Sequence, residues 1–213
     1  MRIWHKFSIT LMFVFCTGFL LPTIAAAAPP AGVGFGINRV SLKASPDGIK
    51  HLNELKNTEI SVGKLIREVF PEAIPSIPIE SLKKMDQTSM VWPQNNANES
   101  AKEEITVTAR GLTHMSELVS QRPNLNFDSY TVATDTMPYM MVVSYLYKYQ
   151  SDEYVDAAFD SAENTQLVWA SESYAPPSGL GLFQTKGLHW GDYPSGHDPE
   201  DYYETTQSIV LGV

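Results

Sequence analysis

A single cysteine among 213 residues is the first absence that matters. It leaves no disulfide framework of the kind that holds small secreted domains together. Cys16 lies inside an apolar N-terminal run behind Phe15, whereas a lipid-anchored cysteine follows a small residue. Positive charge is scarce too: 15 Lys and Arg stand against 24 Asp and Glu, a net charge of −9. Nucleic-acid binders carry a basic face, and this balance argues against one. The apolar run, residues 7–21, falls short of the ~20 residues that a membrane span needs. No G-x-S-x-G, no H-E-x-x-H and no EF-hand loop occurs. Hydrophobic residues at 43% and charged residues at 18% exclude a disordered chain.

What is present begins with an export pattern. Residues 1–6 (MRIWHK) are basic, residues 7–21 apolar, and residues 25–28 a run of alanines. These are the three parts of a secretory signal peptide, expected over 1–27 with cleavage after Ala27 or Ala26. A secreted, extracellular location follows, with no membrane span and no thiol left after processing. The mature chain then has neither a thiol nucleophile nor a thiolate metal site.

Residues 28–93 read as a helical N-terminal segment. Ser45, Pro46 and Asp47 supply an N-cap, a first-turn proline and a first-turn acid. Ile49, Leu52 and Leu55 follow at helical spacing, and Val62, Leu65, Ile66 and Val69 line one face of a second helix. Residues 94–103 (QNNANESAKE) are polar and aperiodic, a linker. Residues 104–213 turn to period two. Residues 105–110, 127–134, 138–150, 154–159, 166–174, 181–189 and 203–211 are the expected strands, with turn signals between them. Without helical crossovers the sheets should be antiparallel, and a mainly β sandwich domain is expected there.

Several residues of this domain resemble the small secreted β-sandwich proteins of unknown function from Gram-positive bacteria. Val142, Tyr145, Leu146 and Lys148 form a V-x-x-Y-L-x-K strand, followed by Tyr154-Val155, a late Gly187-x-His189 and an acidic, aromatic final strand. The resemblance implies an immunoglobulin-like fold and no known activity.

Three groups of residues are candidates for function. Tyr139, Tyr145, Tyr147 and Tyr149 share one strand face and could stack on an extracellular glycan or meet a surface protein. The same face could instead be the shelf for the N-terminal helices. His189, Asp192, His197, Asp198, Glu200 and Asp201 gather within one loop and could hold Ca²⁺ or another divalent metal, or simply form a solvated turn. Pro194-Ser-Gly-His197 matches the middle signature of vanadium-haloperoxidase-like acid phosphatases, with Arg122-Pro123 upstream. Met115 stands where that family needs Lys, and no Arg or His follows His197. The leading expectation is an exported, non-catalytic structural or binding module without a cofactor. A small secreted hydrolase with an unmarked site, or a metal-binding loop, is the alternative. Mass spectrometry of the chain secreted by a bacterial host should find Ala27 or Ala28 at the mature N-terminus; an intact residue 1 would overturn the export reading.

Overall fold

The alternation around Tyr145 runs through the centre of the computed structural model, which describes residues 36–92, 106–107, 111–121, 123–176, 181–196, 201–208 and 211–212. The elements in chain order are β1 (Ile37–Lys43), α1 (Pro46–Glu54), β2 (Thr58–Ser61), α2 (Val62–Val69), a 3-10 turn (Pro71–Ser76), α3 (Ile79–Gln87) and β3 (Ser89–Trp92). Then come β4 (Thr106–Val107), β5 (Leu112–Gln121), β6 (Asn124–Lys148), β7 (Glu153–Tyr174), β8 (Leu182–Asp192), β9 (Asp201–Gln207) and β10 (Leu211–Gly212). The protein is mainly β, and its strand pairs are antiparallel.

One bent hairpin organises the main sheet. β7 follows β6 along its length, with a break in register between Val132 and Met137. The other edge of β6 is shared: its first half pairs with β5 and its second half with β8. Thr134, Asp135 and Thr136 sit exposed at the break, and Pro138 follows. A bulge or corner is where a strand tolerates proline, because no ladder donor is lost there. The two halves fold over one another at this corner. Ser129 and Ser144 lie 15 positions apart on the same strand, yet Ser129 donates to Ser144 at 3.0 Å. Fully extended, that span would measure about 50 Å.

Folding back creates an inner core of Leu112, Leu125, Phe127, Met140, Val142, Leu146, Val168 and Phe183. The opposite face of the second half, with Tyr139, Met141, Val143, Tyr145, Phe159 and Trp190, meets the helical layer in a second core. The helices form where their signals predict. The Ser45 side chain accepts from the Gly48 N–H at 3.1 Å, and that of Ser61 from the Lys64 N–H at 3.2 Å. Val62, Leu65, Ile66 and Val69 are fully buried. Gly48 lets α1 close on α2, since a Cβ there would lie 2.4 Å from the Val69 carbonyl oxygen.

The structure differs from the sequence reading in its strands. Residues 37–43, expected within the helical segment, form an edge strand on β7. Val40 and Leu42 face the helical core, while Arg39 and Ser41 reach the fully buried Asp160. The strands expected at 127–134 and 138–150 are one, as are those at 154–159 and 166–174. The turn signal at 161–164 is absorbed into the corner, where Asn164 takes a positive φ of 47°. The expected linker, 94–103, and the signal peptide lie outside the described residues.

Arg39 holds Asp160 through both carboxylate oxygens, at 3.0 and 2.9 Å. Arg39→Ala should lower unfolding free energy by about 2–3 kcal/mol, the scale for hydrogen bonds to a buried charge. Urea denaturation measures this. A loss below about 0.5 kcal/mol, the scale of an exposed ion pair, would show that Asp160 does not depend on Arg39.

Candidate functional site

Polar residues at inward positions of β5, β6, β8 and β9 meet where the two halves of the sheet face each other. His189 is fully buried at their centre. Its Nδ1 lies 2.8 Å from the Thr131 hydroxyl and its Nε2 2.7 Å from the Thr206 hydroxyl. From Thr206 the chain continues to Ser116 at 2.6 Å, from Ser116 to Ser129 at 2.7 Å, and on to Ser144. The His114 ring stands 5.2 Å from that of His189. Gly187 makes the meeting possible: a Cβ there would lie 2.5 to 2.7 Å from Ser116 Oγ, His189 Nε2 and Thr206 Oγ1. Hydroxyls both donate and accept, so the two ring nitrogens of a neutral imidazole are satisfied together. Burial, with His114 adding to it, holds the His189 pKa well below the usual histidine value.

Imidazole bonded to hydroxyls is also the basis of general-base and nucleophilic catalysis. Here every member of the chain is buried. Its effect is to link four strands and both halves of the sheet.

The loop nominated for metal is divided. His189 points inward, whereas Asp192, three positions on, faces the helices. Asp192 accepts from Ser81 of α3 and from Trp190 Nε1 at 3.2 Å, with Lys84 Nζ 3.7 Å away. Asp201 pairs with Asp192 in the β8–β9 ladder. The side chain of Asp201 and all of His197, Asp198 and Glu200 lie outside the described residues. Among the described residues no group of three or more His, Cys, Asp and Glu is placed to hold a metal ion.

Of the tyrosine stripe, Tyr139, Tyr145 and Tyr147 are buried and Tyr149 is 44% exposed. The stripe is the sheet's side of the helical core rather than an open face. Trp92, arriving on β3, packs its ring 4.4 Å from Tyr145 and 6.0 Å from Tyr154. Burial raises the Tyr145 and Tyr154 hydroxyl pKa values well above the usual phenol value. The Tyr147 hydroxyl donates to Asp152, which also pairs with Lys56, two residues beyond α1, at 2.6 Å. Lys186, its Nζ 4.8 Å from the Tyr147 ring centroid, is pushed down to about 8 by burial.

Sequence reasoning passed over Asp160, Asp128 and the hydroxyl partners of His189. Their one signal is a polar residue at an inward or row-matched position of an alternating strand. Comparison with protein-family models, with curated proteins and with solved structures finds no match to this chain.

The buried imidazole has a pH consequence. His189 stays neutral in the folded chain but protonates in the unfolded chain near pH 6.5. Its contribution to stability is therefore complete above about pH 6.5 and falls away as the pH drops below that value. Asp128, Asp156 and Asp160, whose pKa values burial raises, act in the opposite sense as the pH falls. Removing the imidazole's share alone, His189→Gln should make the change in urea midpoint from pH 7 to pH 5 less downward than in the wild type. Equal slopes for the two proteins would show that the imidazole does not couple to folding.

Proposed function

We propose that this chain is an exported, non-catalytic module that works outside the cell by binding or by holding structure. Its proposed architecture is an immunoglobulin-like sandwich, in the sense of two antiparallel layers closed over a shared core, with a helical N-terminal segment against one layer. One observation carries the functional reading: among the described residues, the buried groups best suited to catalysis, His189, Asp160 and Asp192, are engaged in cross-linking the fold. Both His189 nitrogens meet buried hydroxyls. Asp160 accepts from Arg39, from Ser41 and from the Trp169 N–H. Asp192 joins α3 to β8. A catalytic group must instead lie within reach of a substrate, and these three are buried. The partner of such a module would be an extracellular glycan or a surface protein.

A fluorophosphonate probe for activated serines should leave the secreted chain unlabelled, and Ca²⁺ or Zn²⁺ should leave its melting temperature unchanged. Stoichiometric labelling would overturn the reading in favour of a hydrolase. A metal-dependent rise in melting temperature would overturn it in favour of an ion site at His197, Asp198, Glu200 and Asp201.

A further inference from the structure

We propose that, independently of what the module binds, Tyr147 and Asp152 form a one-electron oxidation site, with Tyr149 as its port to the surface. Five rings, each a Trp or a Tyr and so each oxidisable, touch in series from the helical core outward. Centroid to centroid, Trp92 lies 4.4 Å from Tyr145 and 6.0 Å from Tyr154, Tyr154 lies 5.3 Å from Tyr147, and Tyr147 lies 5.1 Å from Tyr149. Tyr149 is exposed and the other four are buried. An oxidant outside the protein therefore meets this series at Tyr149.

Proton transfer decides where the radical rests. A phenol that loses an electron becomes strongly acidic, so its oxidation is easy where a base already stands at the hydroxyl. Tyr147 has one: it donates to the Asp152 carboxylate, which Lys56 and then this same hydroxyl hold below the usual carboxylate range, and so ionised. Tyr149 donates to a neutral amide oxygen, Gln184 Oε1, at 2.9 Å. The Tyr145 and Tyr154 hydroxyls and Trp92 Nε1 have no hydrogen-bond partner among the described residues. Lys186 adds a second constraint. Its Nζ, 4.8 Å from the Tyr147 centroid, is pushed by burial only to about 8 and stays mostly protonated at pH 7. A cation over the ring opposes a radical cation there, so electron and proton must leave together.

The step balances within these groups. A one-electron oxidant takes an electron from Tyr149, and Tyr147 refills it. The Tyr147 O–H bond breaks as its proton forms an O–H bond on Asp152. The products are the reduced oxidant, a neutral Tyr147 phenoxyl and a protonated Asp152. Buried between Tyr149, Tyr154 and Lys186, that phenoxyl is kept from coupling with another chain.

Photogenerated tris(bipyridine)ruthenium(III), a one-electron oxidant too large to enter the core, tests this on the secreted chain, read by electron paramagnetic resonance of frozen samples. The wild type should give a tyrosyl signal that Tyr147→Phe removes. Tyr149→Phe should slow its appearance and leave the spectrum unchanged. Asp152→Asn suits the positive φ of 53° at that position. It should slow radical formation at least tenfold and abolish the solvent deuterium isotope effect of the wild type. Thermal melts identify the variants that fold. A tyrosyl signal surviving in folded Tyr147→Phe would overturn the site. So would an Asp152→Asn rate equal to that of the wild type, and so would a wild-type chain that gives no radical. If Tyr147→Phe does not fold, the Asp152→Asn rate and isotope effect decide alone.

Discussion

Between Tyr139 and Tyr147 every side chain of β6 is buried. Odd-numbered residues face the helical layer, and even-numbered ones the inside of the folded sheet. A slip of one residue would exchange the two sets. Ser144 would enter the aromatic core under the helices, and Tyr145 would be driven into the line of small hydroxyls beside Ser129. The register of this strand against β7 and β8 therefore governs both cores at once. It also places His189 directly opposite Val142, within reach of Thr131 and Thr206.

The sheet's open edges are handled with charge. Among the described residues, the second half of β7 has β6 on one side and no strand partner on the other. Its Trp169 N–H is instead taken by the Asp160 carboxylate at 2.7 Å. Nearby, Lys43 of β1 pairs with Asp156 at 2.8 Å and with Glu172 at 3.5 Å. An exposed ladder edge invites pairing with other chains, and ionic closure of this kind suppresses it. The same residues fasten β1, so one cluster protects an edge and anchors the N-terminal part of the fold.

Much of this was legible in local pattern. The alternation of residues 139–147 was readable with its faces correctly divided, because its apolar residues recur at period two. Ser45, Pro46 and Asp47 announced α1 through chemistry confined to one turn. What stayed hidden depends on distant partners. Arg39, Ser41 and Lys43 look like loop residues until Asp160 and Asp156 are set opposite them. The corner at 161–164 has the composition of a turn, although both flanking strands continue through it. His189 appeared to begin a polar loop, because the hydroxyls that hold it come from two other strands.

The order in which the chain is made bears on how it can fold. Arg39 meets a partner 121 positions later. Ribosomes deliver β1 and the three helices well before β7 exists to receive them. Until that hairpin is complete, Leu65, Ile66 and Phe70 have no sheet to cover, and so early a structure has little to hold it together. Such remote pairing slows folding and prolongs an unstructured phase. Under the export proposed above, that delay would be an advantage: the chain would stay threadable during passage and lock only once its later strands arrive.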